Sequence, residues 1–253
     1  MSRSEELELI RFENAAAVAD HLAERLWQQR LETPQQPLGL ATGRTMEPVY
    51  AALVKRWHRA PEAERRSVRR SWLSFNLDEY VGLAPGDGRS FAAFMQERLA
   101  GPLGLKSSQV RLPDGLAADP AAAAASYRAS VAAAGGIGLQ VLGLGLNGHV
   151  GFNEPPCAAD APCRCVALSA TTREQNSGAF GGDLAAVPAR AISLGLAEIL
   201  AARAIVLVVT GGAKAAVLRR LLQDPPSALL PASWLRRHPA VTLLADQAAL
   251  SLA

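Results

Sequence analysis

The strongest chemical signal in the chain follows an apolar run that predicts a buried strand. His149 lies close to Gly145 and Gly148, two glycines that allow the backbone to adopt positive φ angles and to approach a ligand. If the chain is locally extended, Asn147 and His149 project to the same side, and Glu154 can fold back beyond the next turn. An amide or a carboxylate beside an imidazole fixes its tautomer, so this group predicts a positioned acid or base.

Two adjacent carboxylates, Asp78 and Glu79, follow another apolar run. Successive side chains of a strand alternate between faces, so only one of the two should point at a bound ligand. The other should be solvated or should cap a loop. A carboxylate that acts as a general base needs partial desolvation, which raises its pKa towards the working pH. An exposed acidic loop is the alternative interpretation.

Two turns have the composition of anion sites. The first follows a short apolar run, precedes a helical pattern, and consists of Thr42, Gly43, Arg44 and Thr45. Backbone N–H groups, hydroxyls and the positive end of a helix suit a phosphate there. Residues 210–214 repeat the arrangement and end with Lys214, a cation that the helix dipole disfavours unless an anion lies between. Each turn alone is equally an ordinary loop, but together they predict a phosphorylated small molecule.

The elements that must position these residues alternate along the chain. Hydrophobic patterning predicts strands at 7–12, 38–41, 72–77, 139–144, 205–209 and 241–245. It predicts helices at 14–30, 46–57 (capped by Thr45), 90–99, 119–134 and 213–222, with a short one near 233–237.

Largely apolar strands that alternate with helices are typical of a parallel sheet covered on both faces. Six or seven strands are too few for an eightfold barrel. We therefore predict one α/β domain over residues 1–253, with an open, mostly parallel sheet and helices on both faces, in a modified Rossmann-like three-layer architecture. Ligands bind beyond the carboxyl ends of the strands of such sheets, so the four polar segments should meet at one edge.

Composition excludes several classes of protein. Of 253 residues, 49% are hydrophobic and 19% charged, so a large core can form and global disorder is excluded. The net charge of +3 and the aromatic content of 5% argue against a nucleic-acid partner. Three cysteines argue against a disulfide scaffold, and their spacing does not make a convincing metal site. The first residues lack the pattern of a signal peptide and no apolar run could span a bilayer, so we expect a cytoplasmic protein with no membrane partner.

Three blocks of the sequence, in the expected order, resemble the glucosamine-6-phosphate deaminase (isomerase) family. They are GLATG at 39–43, FNLDEYVGL at 75–83 and GHVGFNEP at 148–155. Thr172, Arg173 and the Gly-Gly-x-Lys pattern at 211–214 add to the resemblance, which spans about residues 8–246. The sugar-isomerase superfamily also includes 6-phosphogluconolactonases, which would be expected to have Gly-His-Thr-Ala-Ser in the third block.

The resemblance implies that an amino-sugar 6-phosphate and water become a ketose 6-phosphate and ammonia, without a metal or an organic cofactor. It implies that His149, oriented by Asn147 and Glu154, opens the sugar ring. Asp78 would then remove the C2 proton. The phosphate would bind the turn at 42–45, with charge supplied by Arg173 and Lys214.

Two alternatives stay open from the sequence: a lactonase of the same superfamily, and a sugar-phosphate sensor without catalysis. Two residues depart from the common family pattern, since some members carry Asp in place of Asn147 and small residues in place of Arg44. The sequence also leaves open whether the substrate is a glucosamine or a galactosamine phosphate, and whether the chain is a monomer or a homo-oligomer.

Overall fold

The computed structural model describes residues 7–253, so the residues used for the signal-peptide prediction lie outside the described part. The strands are β1 (Glu8–Phe12), β2 (Leu38–Leu40), β3 (Ser74–Asn76), β4 (Asp78–Tyr80), β5 (Val110–Arg111), β6 (Leu139–Gly143), β7 (Arg164–Ala167), β8 (Arg190–Ser193), β9 (Ala204–Val209) and β10 (Val241–Asp246). The helices are α1 (Ala15–Glu32), α2 (Glu47–Arg59), α3 (Glu62–Ser71), α4 (Phe91–Met95), α5 (Gly101–Leu103), α6 (Pro120–Ala133), α7 (Ala170–Asn176), α8 (Leu196–Leu200) and α9 (Ala215–Gln223). A π-helical turn, Gln96–Ala100, joins α4 to α5.

Seven strands form one sheet in the order β1-β10-β9-β6-β2-β3-β5, and each neighbouring pair is parallel. The strands at its centre are buried on both faces, as the five residues from Ile205 to Val209 in β9 show. A strand covered on both faces reads as a continuous apolar run, which is why the sequence revealed it. The predicted α/β class with a mostly parallel sheet is confirmed.

Capping residues set several helix boundaries. Asn14 caps α1 by accepting the N–H of Ala17, and Asp119 caps α6 by accepting the N–H groups of Ala121 and Ala122. The prediction that Thr45 caps α2 is wrong, because α2 begins one residue later, at Glu47. The N–H of Met46 closes the preceding turn on the carbonyl of Gly43 at 2.9 Å, and the Met46 side chain is buried in the core.

A second, antiparallel sheet in the order β4-β8-β7 was not predicted. The chain passes from the large sheet to the small one at Leu77, so β3 ends earlier than the sequence suggested. The N–H of Leu77 donates to Leu40 of the large sheet at 2.9 Å, while its carbonyl accepts from Leu194, next to β8, at 2.7 Å. Asp78 is therefore the first residue of the small sheet.

Within residues 7–253, no helix is both long enough and apolar enough to cross a membrane.

Candidate active site

The four polar segments follow four consecutive strands of the large sheet. In the order β9-β6-β2-β3 these strands lie side by side and run parallel, so their carboxyl ends share one edge. They are followed by residues 210–214, 145–149, 42–45 and 78–80, respectively. Neighbouring strands are about 4.8 Å apart, so the strand ends that precede the four segments lie within roughly 15 Å of one another. The structure thus brings the predicted segments together.

Asp78 supplies a desolvated carboxylate at this edge. Its side chain is 6% exposed, and burial raises its pKa to about 8, with a further contribution from the charge of Glu79. Its Oδ2 lies 3.4 Å from the position that a Cβ on Gly151 would occupy. A side chain at Gly151 would therefore contact the carboxylate. The desolvated carboxylate has the environment that a general base requires.

Glu79 points away from Asp78 and anchors a helix. Its carboxylate accepts the backbone N–H groups of Tyr80, Phe91 and Ala92 at 2.8, 3.0 and 2.8 Å. The last two donors belong to the first turn of α4, where the helix leaves N–H groups without intrahelical partners. Burial raises the Glu79 pKa, and the three hydrogen bonds oppose that effect. Of the two adjacent carboxylates, Glu79 is the one that caps.

A pH profile tests the coupling between these carboxylates. Glu79→Gln removes a negative charge that helps to raise the Asp78 pKa, so the acid limb of kcat/KM should move to lower pH. The limb is measured from kcat/KM between about pH 5 and 9. Glu97→Gln, the same change at an exposed residue, should leave the limb in place. A limb that stays fixed in Glu79→Gln, or that moves to higher pH, contradicts the coupling.

The imidazole of His149 lies directly on the backbone of Gly145. A Cβ on Gly145 would overlap the Cε1, Nδ1 and Nε2 atoms of the ring. The N–H of Gly145 also donates to the carbonyl of His149 at 2.9 Å, which closes the loop between them. Glycine at this position is therefore what allows the ring to pack onto the loop.

Asn147 fixes the tautomer of His149. Its Oδ1 accepts the backbone N–H of His149 at 3.2 Å and lies 2.6 Å from Nδ1 of the ring. Since an oxygen that accepts from the backbone also faces Nδ1, the ring proton is on Nδ1 and Nε2 carries the lone pair. Burial is the main cause that lowers the His149 pKa to about 4. At neutral pH the ring is thus a neutral base with Nε2 free to accept a proton.

Glu154 contacts the start of α7 rather than the imidazole. Its carboxylate accepts the N–H and the hydroxyl of Ser169 at 3.0 and 2.9 Å, and also the hydroxyl of Thr172. Its negative charge raises the His149 pKa, against the effect of burial. Glu154 therefore affects the imidazole electrostatically, without a hydrogen bond to the ring, whereas Asn147 contacts the ring directly.

The two predicted anion turns also approach each other. Gly43 has a φ of +93°, and Arg44 beside it is exposed. Lys214 is half-buried; burial lowers its pKa, and the charge of Arg44 lowers it further. The charge of Lys214 also lowers the His149 pKa, as a cation opposes protonation of the ring. The half-buried hydroxyl residues Thr42 and Thr45 complete the first turn.

Arg173, predicted to supply charge to the phosphate, already uses one nitrogen elsewhere. Its Nη2 donates to the carbonyls of Leu184 and Val187 at 2.7 and 3.1 Å. These bonds tie α7 to the chain that follows it. Its role as a phosphate ligand stays a prediction, and the charge at the two turns comes from Arg44 and Lys214.

Sequence analysis missed two residues that hold the site together. The hydroxyl of Ser193 accepts the N–H of Phe152 at 3.1 Å and lies 3.2 Å from the Cβ position of Gly151. Asp246, at the end of β10, accepts the backbone N–H of Gly211, in the turn before Lys214, through both carboxylate oxygens. In each case, the available signal was a polar residue at the end of a strand.

The three cysteines lie close together in sequence, between β6 and the end of β7. Cys157 and Cys163 are buried, Cys165 is half-buried, and all three are free thiols. Across residues 7–253, no group of three or more His, Cys, Asp or Glu side chains is arranged to hold a metal ion.

Comparison with known proteins identifies the family. The model of the family described as glucosamine-6-phosphate isomerases/6-phosphogluconolactonase matches residues 11–244. The chain belongs to this family. The resemblance inferred from the three sequence blocks is thereby confirmed.

Relatives within the family cover nearly the whole chain. A glucosamine-6-phosphate deaminase of Rhodopirellula baltica is 41% identical over 238 residues, which are 94% of this chain and 91% of the relative. One of a Geobacillus species is 39% identical over 246 residues, 97% of this chain and 96% of the relative.

Solved structures agree on the fold. A monomeric glucosamine-6-phosphate deaminase superposes with a TM-score of 0.91 at 32% identity, covering 98% of this chain and 100% of the other. A 6-phosphogluconolactonase from Trypanosoma cruzi gives a TM-score of 0.76 at 19% identity, covering 98% of this chain and 97% of the other. The second similarity concerns the fold alone.

Proposed function

We propose that the protein is an amino-sugar-phosphate deaminase that converts glucosamine 6-phosphate and water to fructose 6-phosphate and ammonia. The observation that carries the proposal is the pair of groups at one sheet edge, a buried Asp78 and a neutral His149, with the Lys214 turn following the strand next to that of the His149 loop. Relatives named as glucosamine-6-phosphate deaminases, about 40% identical over almost the full chain, support it. A lactonase would need no base for a C2 proton.

The phosphate of the substrate binds between the two turns. The N–H groups and hydroxyls of residues 42–45 surround one side, and the ammonium of Lys214 with the guanidinium of Arg44 supplies positive charge. Charge-assisted hydrogen bonds to phosphate are short and strong, and they fix the far end of the sugar. The reacting carbons then lie towards β3 and β6, where Asp78 and His149 are.

Ring opening is the step that His149 performs in this proposal. Nε2 accepts the proton of the O1 hydroxyl, and the imidazolium returns a proton to O5 as the C1–O5 bond breaks. Asn147 holds the ring through Nδ1, and the negative charge of Glu154 stabilises the transient imidazolium. A tautomer fixed in advance lets one nitrogen serve as base and then as acid.

Isomerisation and loss of ammonia follow at C1 and C2. Asp78 in its ionised form removes the C2 proton of the open-chain sugar and gives an enolamine. Protonation at C1 gives an imine at C2, to which water adds before ammonia leaves. Because the Asp78 pKa is about 8, half of the free protein has Asp78 ionised at that pH, and the ionised fraction continues to rise above it. We therefore expect kcat/KM to rise from about pH 6 and to level off about one pH unit above the pKa.

One assay separates the candidate functions. Purified protein is given glucosamine 6-phosphate, galactosamine 6-phosphate or a 6-phosphogluconolactone, and ammonia, ketose phosphate and acid release are followed. Ammonia and fructose 6-phosphate in equal amounts from the first substrate support the proposal. Lactone hydrolysis without ammonia indicates a lactonase, and thermal stabilisation without turnover indicates a sensor. Either result overturns the proposed function.

Lys214→Met should weaken substrate binding with little change in turnover. A hydrogen bond to a charged group contributes about 1.5–3 kcal/mol, so KM should rise roughly 10- to 100-fold while kcat stays within a few-fold. Steady-state kinetics over a range of substrate concentrations measure both. Lys106→Met is the matched control, since Lys106 is exposed and precedes β5, at the opposite edge of the sheet. Equal KM values for the two variants would remove Lys214 from the anion site.

A further inference from the structure

Asp246 is a buried carboxylate that the proposed chemistry does not use. It is 4% exposed and is the last residue of β10, the sheet neighbour of β9. Its Oδ1 and Oδ2 accept the N–H of Gly211 at 3.0 and 3.1 Å, and Oδ1 also accepts the N–H of Ala249 at 2.8 Å. A buried carboxylate whose hydrogen bonds go to backbone N–H groups of two turns holds those turns against each other.

The turn it holds is the one that presents Lys214. Gly211 has a φ of +87°, a backbone conformation that favours glycine, and its carbonyl accepts the N–H of Lys214 at 3.0 Å. A Cβ on Gly212 would lie 3.8 Å from the carbonyl oxygen of Ala248. The segment after Asp246 thus packs along both glycines of the 211–214 turn.

The backbone at Asp246 is held by β1, independently of the 211–214 turn. The N–H of Gln247 donates to the carbonyl of Phe12, at the end of β1, at 2.9 Å. Phe12 and Asp246 are also register partners in the large sheet. Asp246 is therefore held by the sheet, while its carboxylate oxygens accept the N–H of Gly211 in the neighbouring turn.

We propose that Asp246 is a positioning residue for anion binding, which acts through Gly211 to place Lys214 and the N–H groups of the 211–214 turn. It does not touch the substrate. The proposal rests on the proposed function, because the anion is taken to be the phosphate of the substrate. Without the carboxylate, the N–H of Gly211 loses its acceptor, and the turn no longer keeps one arrangement.

The test compares Asp246→Ala with Asp246→Asn, using inorganic phosphate as the probe. In Asp246→Ala, the inhibition constant for inorganic phosphate and KM should both rise about tenfold or more, while kcat stays within about threefold. Asn can accept both N–H groups through its Oδ1, so Asp246→Asn should return both constants to within about threefold of wild type. If Asp246→Ala does not fold, Asp246→Ser is used in its place, because the shorter serine side chain moves the acceptor oxygen away from the N–H of Gly211.

Asp119→Ala is the matched control. Asp119 also accepts two backbone N–H groups, those of Ala121 and Ala122, but at the start of α6. Its loss should lower the unfolding temperature and leave phosphate inhibition unchanged.

Three results would overturn the proposal. Unaltered phosphate inhibition in Asp246→Ala rejects the positioning role of Asp246 but not the anion site. Phosphate binding as weak in Asp246→Asn as in Asp246→Ala also rejects that role, because the negative charge and not the hydrogen-bond acceptor would then be needed. A wild-type protein that inorganic phosphate neither inhibits nor stabilises rejects the anion site itself.

Discussion

Asp78→Asn should lower kcat by about 10²- to 10⁴-fold while KM for the amino-sugar phosphate stays within a few-fold. Removing a general base typically has an effect of this size, and asparagine keeps the shape of the side chain without accepting a proton. Ammonia release under saturating substrate measures kcat. Glu97→Gln, which neutralises an exposed acid of the π-helical turn, should turn over like wild type. Wild-type turnover in Asp78→Asn would remove Asp78 as the base.

The same substitution should stabilise the fold. The Asp78 pKa is raised to about 8 in the folded protein from an ordinary value of 3.8. The contribution of Asp78 to stability is therefore fully present below pH 3.8 and is lost as the pH rises through about 8. Asparagine does not ionise, so Asp78→Asn should gain on wild type over this window, by at most about 6 kcal/mol in the free energy of unfolding.

Thermal unfolding at about pH 5 and pH 9 measures this gain. The difference in unfolding temperature between Asp78→Asn and wild type should grow towards pH 9. Glu97→Gln should show no such growth. A difference that is constant across the range would mean that Asp78 is not the desolvated carboxylate that its burial indicates. A base that destabilises the fold is a recognised compromise between stability and activity.

Gly145→Ala should disable the imidazole without removing it. The added Cβ overlaps three atoms of the His149 ring, so the ring must leave its position. A displacement of about 1 Å at a catalytic group can reduce the rate about 100-fold, and we expect kcat/KM to fall by that factor or more. The kinetics are measured together with circular dichroism, which should stay close to that of wild type.

Gly143→Ala is the control for that experiment. Gly143 ends β6, two residues earlier, and a Cβ there would have no atom within 4 Å. It should keep activity within a few-fold of wild type. If both variants lose activity equally, the loop and not the imidazole is what matters. If neither loses activity, His149 has no role that depends on its position.

The large sheet and the meeting of the four segments were predictable because the strands are apolar and the polar residues follow them directly. Val206, Leu207 and Val208 leave little alternative to a buried strand, and parallel order then places every strand end at one edge. The choice between Asp78 and Glu79 did not follow from the local pattern, and only the family resemblance indicated Asp78. It depends on Phe91 and Ala92, which lie in α4 and offer their N–H groups only in the folded chain.

The remaining differences have similar causes. The strands of the small sheet have three or four residues each, too few for a hydrophobic period to show. Helix α3 buries Val68 alone and is otherwise charged or polar apart from Ala63, so its sequence lacks an apolar face. Glu154, Arg173 and Asp246 all bind backbone groups that are distant in sequence or lie in irregular turns. Such partners follow from the tertiary fold and not from local patterns.

Because the chain passes from the large sheet to the small one at Leu77, the residues of the candidate site come from both sheets. Asp78 belongs to the small antiparallel sheet, whereas the turns at 42–45 and 210–214 and the loop of His149 extend from the large one. Leu77 joins the two, bonded to Leu40 on one side and to Leu194 on the other. In the proposed reaction, a sugar phosphate bound between Lys214 and Asp78 contacts residues of both sheets. Substrate binding should therefore reduce the relative movement of the two sheets while Asp78 removes the C2 proton.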